Sequence, residues 1–209
     1  DDADLEVLMF ERANIEYEEI TTGDYTLGRL LEFDVIGVGC LAYDKNQDLK
    51  ANFEVLKEYV RKGGYLVTLD FQQDSSWNQN FLPHPFTLFD QDPDADVGVV
   101  LADHDIFKNP NEITEGRHFG VGIWQPGGFS QDVPHEAKPP WESLVTDKQN
   151  GWSLVAGAPA GKGYVVFSSL EIVKGVNSNN KEVVEIVAEI LQNFLFWRSF
   201  LIKKELSVR

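Results

Sequence analysis

Two short apolar runs separated by one amphipathic helix constrain this chain more than any other feature. The first, DVIGVGC (residues 34–40), has the length and continuous apolarity of a parallel strand buried on both faces. It is followed by DLKANFEVLKEYVRKGG (48–64), in which Leu49, Phe53, Leu56 and Val60 fall on one helical stripe. Arg61 and Lys62 occupy the last turn, where cations suit the helix dipole, and Gly63-Gly64 supply the stop. The second run, YLVTLDF (65–71), reads as the next buried strand. Strand, helix and strand of these lengths make a βαβ unit, which closes as a right-handed crossover. The fold class expected is therefore α/β with a mainly parallel sheet.

The remaining segments are read against that unit. DADLEVLMFERAN (2–14) places Leu5, Leu8, Met9 and Ala13 at helical spacing behind an acidic start. IEYEEI (15–20) alternates as a short strand, and YTLGRLLEF (25–33) reads as a short helix. Late in the chain, WSLVAGAPAGKGYVVFSSLEI (152–172) predicts two strands joined at PAGKG as a β-hairpin. NNKEVVEIVAEILQNFLFW (179–197) predicts an Asn-capped helix with Val183, Val187, Ile190, Leu191 and Phe194 along its buried stripe. Residues 72–150 lose periodicity and fill with Pro, Gly, Asp and aromatics, a long loop-rich insertion of the kind that carries function or small elements of its own. The chain opens on a helix where such sheets usually open on a strand, so a first strand is expected to be missing or supplied by a preceding domain. The whole, residues 1–209, reads as one domain of a larger protein.

Charge narrows the partners. Acidic residues outnumber basic ones 34 to 18, a net charge of −16, and a field of that sign repels phosphate backbones. Nucleic acid is thereby disfavoured. No run approaches the ~20 apolar residues of a membrane span. Acid-rich surfaces suit an extracellular or periplasmic protein, while the single cysteine, Cys40, leaves the cytoplasm open as the alternative.

FDVIGVGCLAYD, the helix ending VRKGGYLVTLD, and GKGYVVFSSLEI before a final helix together resemble the class I glutamine amidotransferase-like superfamily. Within it the chain is similar to the ThuA-like and carbohydrate-associated branches. HDIFKNPNEIT (104–114), with Trp124 downstream, resembles a segment of amidotransferase-like domains appended to LmbE/PIG-L-type sugar deacetylases. The resemblance implies a flavodoxin-like three-layer sandwich. It also implies a cysteine on the elbow after YLVTLD and a His-x-Glu pair after YVVF, in which thiolate attacks, histidine moves the proton and glutamate orients the histidine. Here the elbow offers Asp70, Phe71, Gln72 and Gln73, and the late motif reads Ser169-Leu170-Glu171. Two of the three parts are absent, so amidotransferase chemistry is not expected.

Several residues invite other roles. Cys40 is either a reactive thiol at a strand's carboxyl end, where open α/β sheets bind ligands, or a small buried residue. Asp92, Asp94 and Asp96, in the run DQDPDADVGVVLADHD, alternate as Ca²⁺ ligands do, although the EF-hand pattern is not met; the bland account is a solvated acidic loop. His84, His104, His118 and His135 lie near Asp103, Asp105, Glu115 and Glu136 without metal-ligand spacing. Trp77, Trp124, Trp141 and Trp152 fall in or beside loops, placed either to stack on sugar rings or to pin the loop to the sheet. The expected function is a non-catalytic module with an interaction or carbohydrate-related binding role. Its ligand, a carbohydrate or another protein domain, would sit near Cys40, Asp70, Gln72, Gln73 and Glu171, walled by Trp77 and Trp124. The alternatives are a hydrolase or sugar-processing enzyme using Asp70, Glu171, a histidine or a metal, and a structural subunit that pairs through a sheet edge.

Overall fold

The computed structural model describes residues 8–39, 42–69, 81–85, 87–88, 98–120 and 135–207, and every structural statement below concerns these. The predicted βαβ unit is present. Strand β1 (Ile36–Val38) leads through a short helix to the long helix of the unit, Gln47–Lys62, and on to β2 (Tyr65–Thr68), parallel to β1 with Ile36 opposite Leu66. The Asn46 side chain caps the long helix by accepting from the Leu49 N–H at 2.9 Å. Gly63 ends it at φ 124°, a left-handed conformation that favours glycine.

The other helices follow from the same patterning. Residues 8–12 form α1, Leu27–Leu30 α2, Ala42–Lys45 α3 and Gln47–Lys62 α4; Glu115–His118 is α5, Ile172–Val176 α6 and Lys181–Ser207 α7. Helix α7 begins where the Asn180 side chain accepts from the Glu182 N–H at 3.0 Å. All five of its predicted stripe residues are buried, each such side chain contributing roughly 1.5–3 kcal/mol.

The sheet corrects the expectation of a mainly parallel architecture. It is mixed: β2 pairs in parallel with β8 (Gly163–Ser168), but β8 runs antiparallel to β7 (Ser153–Ala160) in the expected hairpin, turning at Gly161 and Lys162. Beyond β7 every pairing is antiparallel. One branch passes through β5 (His135–Glu136) to β3 (Thr87–Leu88), the other through β6 (Glu142–Asp147) to β4 (Val99–Leu101). The segment expected to be loop-rich thus contributes four of the strands, and the antiparallel half of the sheet comes largely from it.

Two cores sandwich the sheet. Tyr65, Val67, Val166 and Val155 face α6 and α7, while Leu66, Val165, Phe167, Ala156 and Ala158 face α4 and α2. Alternation along each strand therefore yields three layers, helix on sheet on helix. A second correction concerns residues 15–20, expected as a strand but carrying no strand pairing. Ile15 is buried, yet Tyr17 is 48% exposed and its ring stacks on Phe10, 5.0 Å between centroids. Of these residues only Ile15 is buried, so the alternation in the sequence has no counterpart in burial. Among the described residues no helix is long and apolar enough to cross a membrane.

Candidate functional site

The parallel strands β1, β2 and β8 end side by side. The Leu69 N–H continues the ladder to the Val38 carbonyl at 2.8 Å, and Thr68 lies opposite Phe167. The Thr68 hydroxyl is buried and makes no hydrogen bond, an unmet capacity at the edge where α/β sheets receive ligands. Of the residues expected around it, Cys40, Asp70, Gln72, Gln73 and Trp77 lie outside the described residues. So do Trp124 and the candidate calcium ligands Asp92, Asp94 and Asp96.

The late motif is described in full. Ser169 is buried; both its N–H, at 2.9 Å, and its hydroxyl, at 3.0 Å, donate to the Leu154 carbonyl. The hydroxyl is thus committed to holding β8 against β7. Ser168 is buried too, its hydroxyl accepting from the Leu170 N–H at 3.2 Å. Glu171 precedes α6 and its carboxylate pairs with Lys174 at 2.8 Å. Residues 169–171 therefore carry an ion pair and a backbone tie where the resemblance implies a proton relay.

The histidines are dispersed. His84 bonds the Pro159 carbonyl at 2.9 Å, His135 lies on β5, and His104 caps a short 3-10 helix by accepting from the Ile106 N–H at 3.1 Å. Burial holds the His104 imidazole below its ordinary pKa, between Tyr164 and the Trp197 ring, 4.9 Å away. Lys108 pairs with Asp103, Lys148 with Glu115 and Lys138 with Glu136. Among the described residues no three ligating side chains converge on a metal position. Trp141 is buried with its indole N–H on the Pro85 carbonyl at 3.2 Å, so it pins the middle segment to the core. Trp152 is half-buried beside the β6–β7 turn.

A polar constellation that the sequence did not suggest lies where residues 104–118 meet α7. His118, fully buried on α5, bonds the Glu189 carboxylate through Nε2 at 2.9 Å, while Nδ1 accepts from the Thr114 N–H at 3.0 Å. Arg117 adds a two-pronged bond to the same carboxylate, at 2.6 and 2.9 Å. Burial acts to raise the Glu189 pKa, but the Arg117 and His118 bonds outweigh it and hold the carboxyl below its ordinary value. Beside it, Asn193 is buried and bonded to Asn111 and Ile106. The one signal in the sequence is an amide at a stripe position of α7, in register with Ile186, Ile190 and Trp197.

Comparison with protein-family models and with curated proteins gives no match. Solved structures do share the fold. The cytoplasmic protein STM3548 from Salmonella typhimurium superposes with a TM-score of 0.56 at 13% identity, covering 91% of this chain and 84% of its own. The cytoplasmic protein STM1381 from Salmonella typhimurium LT2 does so at 0.53 and 17% identity, covering 94% and 86%. A beta-galactosidase from Rahnella sp. R3 matches more distantly, at a TM-score of 0.45 and 13% identity, with 96% of this chain laid over 26% of that one. At such identities the two Salmonella proteins establish the fold and nothing about activity.

Proposed function

We propose that this chain is a non-catalytic, class I amidotransferase-like module of a larger bacterial protein, with an interaction or carbohydrate-related binding role. The observation that carries the reading is Ser169. It stands where the resemblance implies a catalytic histidine, and its hydroxyl is buried and spent on a backbone carbonyl. Neighbouring Glu171 is engaged with Lys174. A nucleophile on the elbow would have no base at this position to take its proton. The unmatched Thr68 hydroxyl favours the strand ends as the place of binding.

An extracellular or periplasmic location goes with the reading, against the cytoplasmic naming of the two Salmonella proteins of like fold. Fractionation of the source organism separates the two. The functional test pairs an assay of ammonia release from glutamine with thermal unfolding against mono- and oligosaccharides, Ca²⁺ and Zn²⁺, with EDTA as control. No ammonia above the blank and a rise in melting temperature with a sugar are expected. A ligand at 100 times its dissociation constant stabilises by about 2.7 kcal/mol, a readable shift. Turnover of glutamine would sink the non-catalytic reading.

A further inference from the structure

The segment that follows Asn109 and the outer side of α7 form a solvent-open groove of about 510 Å³, lined by Pro110, Asn111, Glu112, Thr114, Arg117 and Glu189. That is the size of an ordinary small-molecule site, roughly 300–1,000 Å³. Its polar walls are held in place from behind. Glu189 is fixed by buried His118 and by both prongs of Arg117. The Asn111 amide nitrogen is fixed by Gln192 Oε1 at 3.0 Å, Asn193 Oδ1 at 3.1 Å and the Glu189 carbonyl at 3.3 Å, which leaves its carbonyl oxygen for another donor. Groups whose positions are set before a ligand arrives lower the ordering cost of binding.

The chemistry of the lining selects the ligand. Among the described residues, Arg117 is the only cation in the wall and is already neutralised by Glu189, while Glu112 sits in the wall and Glu182 and Glu185 lie within electrostatic reach of Arg117. An anion would meet carboxylates without a free counter-charge. A hydroxyl suits the place, because it donates to a carboxylate and accepts from a guanidinium at once, and adjacent hydroxyls can span a fused Arg–Glu pair. Pro110 adds an apolar wall for C–H faces. We infer that this groove binds a neutral pyranose sugar, its hydroxyls held by Arg117, Glu189, Asn111 and Thr114. None of its lining residues belongs to the strand ends or to the late motif, so its fate and that of the non-catalytic reading are separable.

The test titrates the ¹⁵N-labelled chain with D-glucose, D-galactose and D-mannose, with glucuronate and spermidine as charged controls, following backbone amide shifts. At least one hexose is expected to shift amides of residues 110–118 and around 189 in a saturable, single-site manner. Arg117→Lys keeps the charge but loses the fork, and Thr114→Val removes only a hydroxyl. Each is expected to weaken binding, Arg117→Lys by about tenfold, the worth of one charge-assisted hydrogen bond. An unchanged melting temperature shows that the fold survives each change. Three outcomes overturn the inference: no hexose shifts these amides; a hexose binds elsewhere and ignores both variants; or spermidine or glucuronate titrates these amides while the hexoses do not. None of the three touches the ammonia assay, on which the non-catalytic reading is decided.

Discussion

Asn193 and Asn111 hold each other as two strands would. The Asn111 N–H donates to Asn193 Oδ1 at 2.9 Å, and Asn193 Nδ2 donates back to the Asn111 carbonyl at 2.8 Å, with a further bond to the Ile106 carbonyl at 2.7 Å. One buried amide thus satisfies three backbone groups of a segment that has no strand partner there. Removing it leaves those groups buried and unpaired, at about 1–3 kcal/mol for each that water cannot reach. Asn193→Ala is expected to lower stability by about 3 kcal/mol in urea unfolding and to broaden amide resonances of residues 106–113. A loss below about 1 kcal/mol would show that the segment is held chiefly by Ile106, Phe107 and Ile113, which are buried in the same core.

A second relationship joins the end of α4 to the β7–β8 turn. A Cβ on Gly163 would lie 2.0 Å from the Val60 carbonyl oxygen and 2.3 Å from that of Gly64, while one on Gly64 would clash with the Tyr59 ring at 2.3 Å. The backbone bonds from Lys162 N–H to the Arg61 carbonyl, 3.0 Å, and from Tyr164 N–H to the Gly64 carbonyl, 3.2 Å, depend on that closeness. Gly163→Ala is expected to cost about 3 kcal/mol or more, because backbone cannot step aside as a side chain can. Gly23→Ala, where nothing lies within 4 Å, is the control and should change stability by less than about 1 kcal/mol. Equal melting temperatures for the two variants would refute the argument.

The β6–β7 connection depends on Asp147. Its carboxylate is buried and accepts from the N–H groups of Gln149 at 2.9 Å, Asn150 at 2.8 Å and Trp152 at 2.8 Å. Asp147→Ala should cost about 2 kcal/mol, measured by chemical denaturation. Asp147→Asn should recover only part of that, since an amide group can accept through one oxygen but presents a donor to the remaining N–H. Full recovery in the Asn variant would mean that one of the three bonds carries no weight.

How much of this was legible beforehand follows from where the information resides. The βαβ unit, the hairpin and α7 were readable because local patterning, caps and stops agree: Gly63 stops α4, Asn180 caps α7, and Gly161 turns β7 into β8. Strand β6 was not, since ESLVTD has no clear alternation, and its register with β7 shifts twice, around Ser143, Val145 and Thr146. A strand whose period is broken by irregular pairing leaves no period-2 signal to find. The parallel-sheet expectation extended a true local unit to strands whose partners are set by long-range packing. At the candidate site, Glu171 was identified but its pairing with Lys174 was not. The His118–Arg117–Glu189 cluster was missed because its members lie some 70 positions apart in sequence, with separations of 71 and 72, and no local motif joins them.

The pH dependence of stability carries a signature of His104. Burial depresses its pKa in the folded chain, with Glu142 and Asp105 opposing that shift and Lys108 assisting it. The unfolded chain therefore binds a proton that the folded chain refuses. The stability associated with the neutral imidazole is complete above about pH 6.5 and is lost as the pH falls towards the depressed folded value. Glu189 acts in the same direction lower down: its folded pKa lies below its ordinary 4.5, so its contribution persists until the pH drops beneath that value. His104→Asn keeps a side-chain oxygen to cap Ile106 but has no proton to gain. Urea midpoints measured from pH 7.5 to 3.5 should fall less steeply below about pH 6.5 for this variant than for the parent, while the loss that accompanies protonation of Glu189 should appear in both. Identical slopes between pH 6.5 and 5.0 would show that His104 ionises in the folded protein as freely as in the unfolded one.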